Sequence, residues 1–182
     1  MADITHSTRT TPRPYRSRLG TYDLRAFQPS TCESSAKIAY GDVVQFDVNV
    51  ASANHRIVKA STMANAPAVL SSALLGIAVE ADGSSVSSVS PNPGTLLVCC
   101  GKSQTEFLWP TKSVTASSHA TLRKQIAYDT TNSMFYLNLA STSSDSSNSV
   151  VITEVPNAGD TNGFVVAKFL STSLARVVSG AF

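Results

Sequence analysis

Apolar and polar residues alternate along "VVQFDVNV" (43–50), with Val44, Phe46, Val48 and Val50 on one side and Gln45, Asp47 and Asn49 on the other. A period of two is the mark of a β-strand, whose successive side chains point to opposite faces. Gly41 and Asp42 turn the chain into this segment, and "HRIVKAS" (55–61) follows across a short polar loop as a partner strand. "LLGIAVEA" (74–81) is apolar on both parities, which predicts a more deeply buried strand. "GTLLVCCG" (94–101) and "TEFLWP" (105–110) give two more. "LRKQIAYD" (122–129) and "SMFYLNLA" (133–140) flank "TTN" and read as a hairpin, the first of them alternatively as a short helix capped by Ser118. "SVVITEV" (149–155) and "GFVVAKFL" (163–170) flank the loop "PNAGDTNG", and "LARVVSGAF" (174–182) closes the chain. Short strands at even spacing, separated by Gly, Asn, Asp and Ser turns, predict an all-β fold. The expected architecture is a compact antiparallel β-barrel or sandwich, jelly-roll-like or a related small barrel.

The first 35 residues break this pattern. "STRTTPRPYRSRLGTYDLRAF" (7–27) holds Arg9, Arg13, Arg16, Arg18 and Arg25, with Pro12 and Pro14 and no lysine. Its prolines favour extended backbone. Tyr15, Tyr22, Leu19, Leu24 and Phe27 are spaced apolar anchors that a purely disordered tail does not need. The segment therefore reads as an extended basic N-terminal arm (1–35) on a β-barrel or sandwich body (36–182), with nothing in its own chain to fold against. Two chemistries suit it. One is nucleic-acid binding, arginines on phosphates and tyrosines stacked on bases. The other is a clasp on a protein partner, arginines on carboxylates and aromatics in pockets.

The proline spacing favours a pre-extended strap, which lowers the cost of ordering on a partner. Residues 1–30 carry five arginines against Asp3 and Asp23, a net of +3, while the remaining nine basic and ten acidic residues leave the body at −1. The body is no polyanion binder by charge count. Charged residues make up 14% of the chain, against a usual share of about 25%. A surface solvated by hydroxyls and amides can be covered by a partner without desolvating many charges. No apolar run reaches the roughly 18 residues of a membrane span. Met1 to Thr11 is polar where a signal peptide would turn apolar, so synthesis in a cytosol is expected.

Little in the sequence points to catalysis or to a metal or cofactor. His6, His55 and His119 stand alone, without ligand spacing. Cys32, Cys99 and Cys100 are an odd number and no disulfide framework. Cys99 and Cys100 end "TLLVCC", where adjacent strand residues face opposite sides, so at most one is expected in the core. Glu80 and Asp82 read as turn acids, and "NAGDTNG" (157–163) as a turn lacking the ligand order of a calcium loop. Trp109, beside Pro110, is either a core residue or a possible interface anchor.

"GDVVQFD", "HRIVKAST", "ALLGIAVEADGSSVSSV", "NPGTLLV", "EFLWPTK", "ATLRKQIAYDTTNSMFYL" and the late pair "GDTNGFVVAKF" together resemble the decoration, or cement, proteins of tailed-bacteriophage heads. The resemblance covers residues 41–178 and rests on turn glycines and strand alternation. It implies a non-enzymatic virion protein on the outer capsid surface, commonly a homotrimer, that stabilises the shell by bridging major capsid protein subunits. The arm is longer and more basic than is usual in that family. Arg9, Arg13, Tyr15, Arg16, Arg18, Tyr22, Arg25 and Phe27 are then the expected partner-binding residues, with Trp109 as a possible further contact. A β-rich tail, fibre or host-surface binding module is the alternative.

Overall fold

Among the described residues, eleven short strands and one 3-10 turn (Ser117–His119) make up the regular structure, and two antiparallel sheets pack face to face as a β-sandwich. The computed structural model describes residues 11–18, 20–27, 38–46, 57–60, 74–79, 96–102, 104–132, 134–142 and 148–174. In chain order the strands are β1 (Arg13–Ser17), β2 (Leu24–Phe27), β3 (Val43–Phe46), β4 (Ile57–Lys59), β5 (Leu74–Ala78), β6 (Leu96–Cys100), β7 (Thr105–Pro110), β8 (Arg123–Asp129), β9 (Met134–Asn138), β10 (Val150–Glu154) and β11 (Phe164–Phe169). The first sheet runs β1-β7-β11-β10-β8-β9 and the second β2-β6-β5-β3-β4. The first sheet curls, because Leu137 of β9 bridges back to Thr111 just past β7.

The main core lies between the sheets. Trp109, Phe107 and Phe169 form a triangle of edge-to-face rings, with centroids 5.3 to 6.5 Å apart. Ile126, Leu137, Val150, Ile152 and Val165 surround it from the first sheet; Val43, Leu74, Ile77 and Cys99 close it from the second. Each edge-to-face pair adds about 0.5–1.5 kcal/mol to the burial of its rings. Trp109 is fully buried, so the possible interface anchor is corrected to a core residue.

A second apolar cluster lies on the far face of the second sheet, with Ile38, Val44, Ile57, Leu75, Ala78, Leu96, Val98 and Cys100. The double-sided burial explains the unbroken apolar runs in β5 and β6. It also corrects the expectation for the cysteines: both are buried, Cys99 in one cluster and Cys100 in the other. Burial pushes the Cys99 thiol up to about 12 and the Cys100 thiol up to about 11, which leaves both unreactive near neutral pH. The alternation of 43–50 holds over β3, where Val44 and Phe46 join the second cluster. Gln45, on the opposite face, is buried rather than solvated.

The predicted hairpins form as read. β8 pairs with β9 from Gln125↔Asn138 to Asp129↔Met134, so the helix alternative for 122–129 is not taken. β10 pairs with β11, and the loop between them is tied down by Thr115, whose N–H donates to the Asp160 carbonyl at 2.9 Å. "NAGDTNG" is thus a turn, with Gly159 and Asn162 in the left-handed region.

Asp129 holds the β8–β9 turn. Its carboxylate accepts from the Thr131 N–H at 3.0 Å and from the Asn132 side-chain amide at 2.7 Å, and it pairs with Lys112. Chiefly the Lys112 contact, then Asn132, pulls its pKa down to about 2. A carboxylate depressed on folding stabilises fully above its unfolded pKa, near 4, and loses that contribution as pH falls towards its folded value. Stability should therefore fall between pH of about 4 and about 2, and Asp129→Asn should flatten that part of the profile. Urea titrations at stepped pH will measure both; an unchanged acid limb in the variant would remove Asp129 as its source.

Candidate partner-binding edge

The basic segment 11–27 is not a free arm. Its two strands form one edge of each sheet: β1 lies on β7, and β2 lies on β6. The expectation that it has nothing to fold against is therefore corrected for these residues, and the division at 35/36 separates strands that share a sheet. Residues 1–10 and 28–37 lie outside the described residues, and Arg9 with them.

The crossing from one sheet to the other is built locally. The Arg18 N–H donates to the Gln104 carbonyl at 3.1 Å, extending the β1–β7 ladder by one residue. The Gly20 N–H then closes on the Ser17 carbonyl at 3.0 Å, with Gly20 at φ +77, a conformation that favours glycine. At the far end the Cys100 N–H donates to the Asp23 carbonyl at 2.8 Å and starts the β2–β6 ladder.

Glu106, the one acid in the otherwise apolar "EFLWP" run, explains why β1 stays in place. It projects from the outer face of β7 yet is only 1% exposed, because the Arg16 guanidinium covers it. Arg16 Nε bonds Glu106 Oε2, its Nη1 reaches Glu154 Oε2 at 2.9 Å, and Arg18 Nη2 stands 4.0 Å from Glu106 Oε1. Burial alone would raise the Glu106 pKa. Hydrogen bonds from Arg16 and Thr153, with the charges of Arg16 and Arg18, outweigh it and hold the carboxyl below its usual value. The same hydrogen bond to Glu106 raises the Arg16 pKa.

The apolar side chains of the segment behave differently. Tyr15 is 44% exposed, Tyr22 39% and Leu24 49%. Among the described residues the exposed large hydrophobics are these three with Tyr40 and Val114, so most of them fall within ten residues of chain. The Arg16 guanidinium sits 5.4 Å from the Tyr15 ring centroid. Phe27 is partly buried and packs against the second apolar cluster, on the far face of the second sheet.

Beside β2 lies an open cleft of about 410 Å³, lined by Asp23, Arg25, Leu75, Cys100, Lys102 and Leu174 among others. Asp23 Oδ2 takes both cations, Lys102 Nζ at 3.0 Å and Arg25 Nε at 3.5 Å. Arg13 is half-buried in β1. Thus Tyr15, Arg16, Arg18, Tyr22 and Arg25 are brought to the β1–β2 side of the sandwich, whereas Phe27 packs on the far face of the second sheet and Trp109 lies in the inter-sheet core. Leu24, Lys102, Glu106 and Glu154 complete the edge and were absent from the expected set. The solitary acid of β7 was the available signal for Glu106; nothing in the sequence places Lys102 beside Asp23.

No protein-family model, curated protein or solved structure matches the chain.

Proposed function

We propose that this is a non-enzymatic structural binding protein, and specifically a capsid decoration protein. It attaches to the outer surface of an assembled phage head and bridges neighbouring major capsid protein subunits through the β1–β2 side of the sandwich, commonly as a trimer. The observation that carries the proposal is the gathering of Tyr15, Tyr22 and Leu24 on that side, interleaved with Arg16, Arg18 and Arg25. Exposed aromatic and aliphatic side chains with arginines around them are what protein interfaces use as anchors. The sequence resemblance to decoration proteins supplies the identity of the partner. A protein that binds the assembled lattice better than its separated subunits stabilises the lattice by linkage, and several such contacts hold tightly even when each is modest.

The test is co-sedimentation of the full chain with expanded heads of the source phage that lack decoration protein. The unmodified chain should pellet stoichiometrically. The triple variant Tyr15→Ser, Tyr22→Ser, Leu24→Ser should stay in the supernatant while keeping its melting temperature, because all three side chains are exposed. Equal pelleting of the two proteins would remove this side as the contact. Failure of both to pellet would remove the capsid and favour a tail or host-surface module.

A further inference from the structure

We infer that Asn162 is a site of spontaneous covalent modification, in which its side-chain amide is displaced by the backbone nitrogen of Gly163 and the residue becomes isoaspartate or aspartate. The inference does not depend on what the β1–β2 side binds.

The chemistry is an intramolecular acyl transfer. The Gly163 nitrogen loses its proton and attacks Asn162 Cγ. A new N–Cγ bond closes a five-membered succinimide, the Cγ–Nδ2 bond breaks, and ammonia leaves. Water then adds to one of the two ring carbonyls. Opening at Cγ restores the main chain and leaves aspartate. Opening at the main-chain carbonyl leaves isoaspartate, with the chain now running through Cβ and Cγ. Nothing is oxidised or reduced, and water is the one co-reactant. Ring closure needs a nitrogen that its own side chain does not crowd, which a glycine supplies. Asn162 is followed by glycine, whereas every other asparagine of the sequence precedes a residue with a side chain.

The structure leaves both reacting groups accessible. Asn162 is exposed in the loop between β10 and β11, at φ +56, a left-handed conformation that asparagine tolerates. Among the described residues, neither its side chain nor the Gly163 N–H forms a hydrogen bond. Other asparagine side chains are held. Asn132 donates to Asp129 Oδ2 at 2.7 Å, Asn148 donates to the Thr142 carbonyl at 2.9 Å, and Asn138 Oδ1 accepts from the Ala140 N–H at 3.1 Å. Asn157, in the same loop, precedes Ala158, whose methyl group crowds the ring.

The position gives the change a structural effect. The Gly163 carbonyl accepts from the Thr111 N–H at 2.9 Å and from the Thr111 hydroxyl at 3.0 Å, which joins the start of β11 to the end of β7. Space around Gly163 is tight: a carbon at its Cβ position would meet Asp160 Cβ at 2.9 Å and Thr115 Cγ2 at 3.2 Å. Isoaspartate inserts an extra main-chain atom immediately before this residue, and either product adds a negative charge two residues from Asp160. Conversion therefore loosens the β7–β11 junction.

The experiment incubates the full chain at neutral and at alkaline pH in water enriched in oxygen-18, beside a synthetic peptide of residues 158–167, and maps both by mass spectrometry over time. Isoaspartate is read separately by its methylation with an isoaspartyl methyltransferase. Asn162 should lose ammonia and gain one labelled oxygen, faster at alkaline pH because the attacking nitrogen must be deprotonated. Its rate should lie within about tenfold of the peptide's, since an exposed turn opens at little cost. The converted chain should melt about 2–4 °C lower, the shift that goes with one net hydrogen bond in a chain of this size. Asn162→Gly, which suits the left-handed turn and carries no amide, should show neither change. Conversion about a hundredfold or more slower than in the peptide would mean that the fold protects the site, and would overturn the inference. So would earlier conversion at another asparagine, or a product without isoaspartate or without the labelled oxygen. An unchanged melting temperature after full conversion would overturn the effect on the β7–β11 junction.

Discussion

Deleting residues 1–27 should cost the protein several kcal/mol, a large part of the roughly 5–15 kcal/mol that holds a domain together. A freely appended arm would make the same deletion silent. The difference lies in what β1 and β2 cover. Without β1, β7 becomes an edge and Glu106, buried beneath Arg16, loses the cation that neutralises it. A buried carboxylate stripped of its partner is among the more damaging changes available to a small protein. Without β2, the β6 edge opens as well. Two unpaired edges in one molecule invite edge-to-edge association, so the truncated protein should also aggregate on heating. Thermal melts with light scattering, full chain against truncation, will show both effects. Coincident melts would return the segment to the status of a separate arm.

Gly76→Ala should destabilise the protein by about 3 kcal/mol or more, at or beyond the upper end of ordinary overpacking. A Cβ on Gly76 would stand 2.1 Å from the carbonyl oxygen of Cys99 and 2.9 Å from the Cα of Cys100. Both atoms are backbone of the adjacent strand, and neither can swing aside as a side chain would. Along its other neighbour β5 carries an irregularity in register: Val44 of β3 pairs with Gly76 while Gln45 pairs with Leu74, leaving Leu75 as an extra residue. That extra residue is why Leu74 and Ile77 reach the inter-sheet core while Leu75 and Ala78 reach the other cluster. Gly159→Ala is the control. Its φ of +99 imposes some strain, but nothing lies within 4 Å of the added carbon, so the loss should stay near 1 kcal/mol. Urea midpoints for the two variants will separate them; equal shifts would mean that the sheet relaxes around residue 76.

The all-β fold and most strands could be read from the sequence because their cause is local. Alternation over β8 and β9, apolar runs over β5 and β6, and glycines and asparagines between them each report on a few adjacent residues. The edge strands could not. "RPYRS" has a proline, two arginines and no apolar alternation, and what makes it a strand is a carboxylate 90 residues further on. The same holds for Trp109 and the two cysteines. Their neighbourhoods in sequence allowed either face, and the second apolar layer decided it. At the candidate edge the residue types were legible and their roles were not: Arg16 looked outward-reaching but spends its charge on Glu106 and Glu154.

That long-range pairing has a consequence in time. β1 and β2 leave the ribosome before β7 and β6, the strands they need. At about 5–20 residues per second, the segment around Arg16 would wait roughly 5–20 seconds for Glu106 to be made. Through that interval its arginines and tyrosines are exposed to whatever else is nearby. Loop-closure entropy for so distant a pair slows docking further. The two edge strands should therefore be the last to settle, and refolding followed at Tyr15 and Tyr22 should lag behind refolding followed at Trp109.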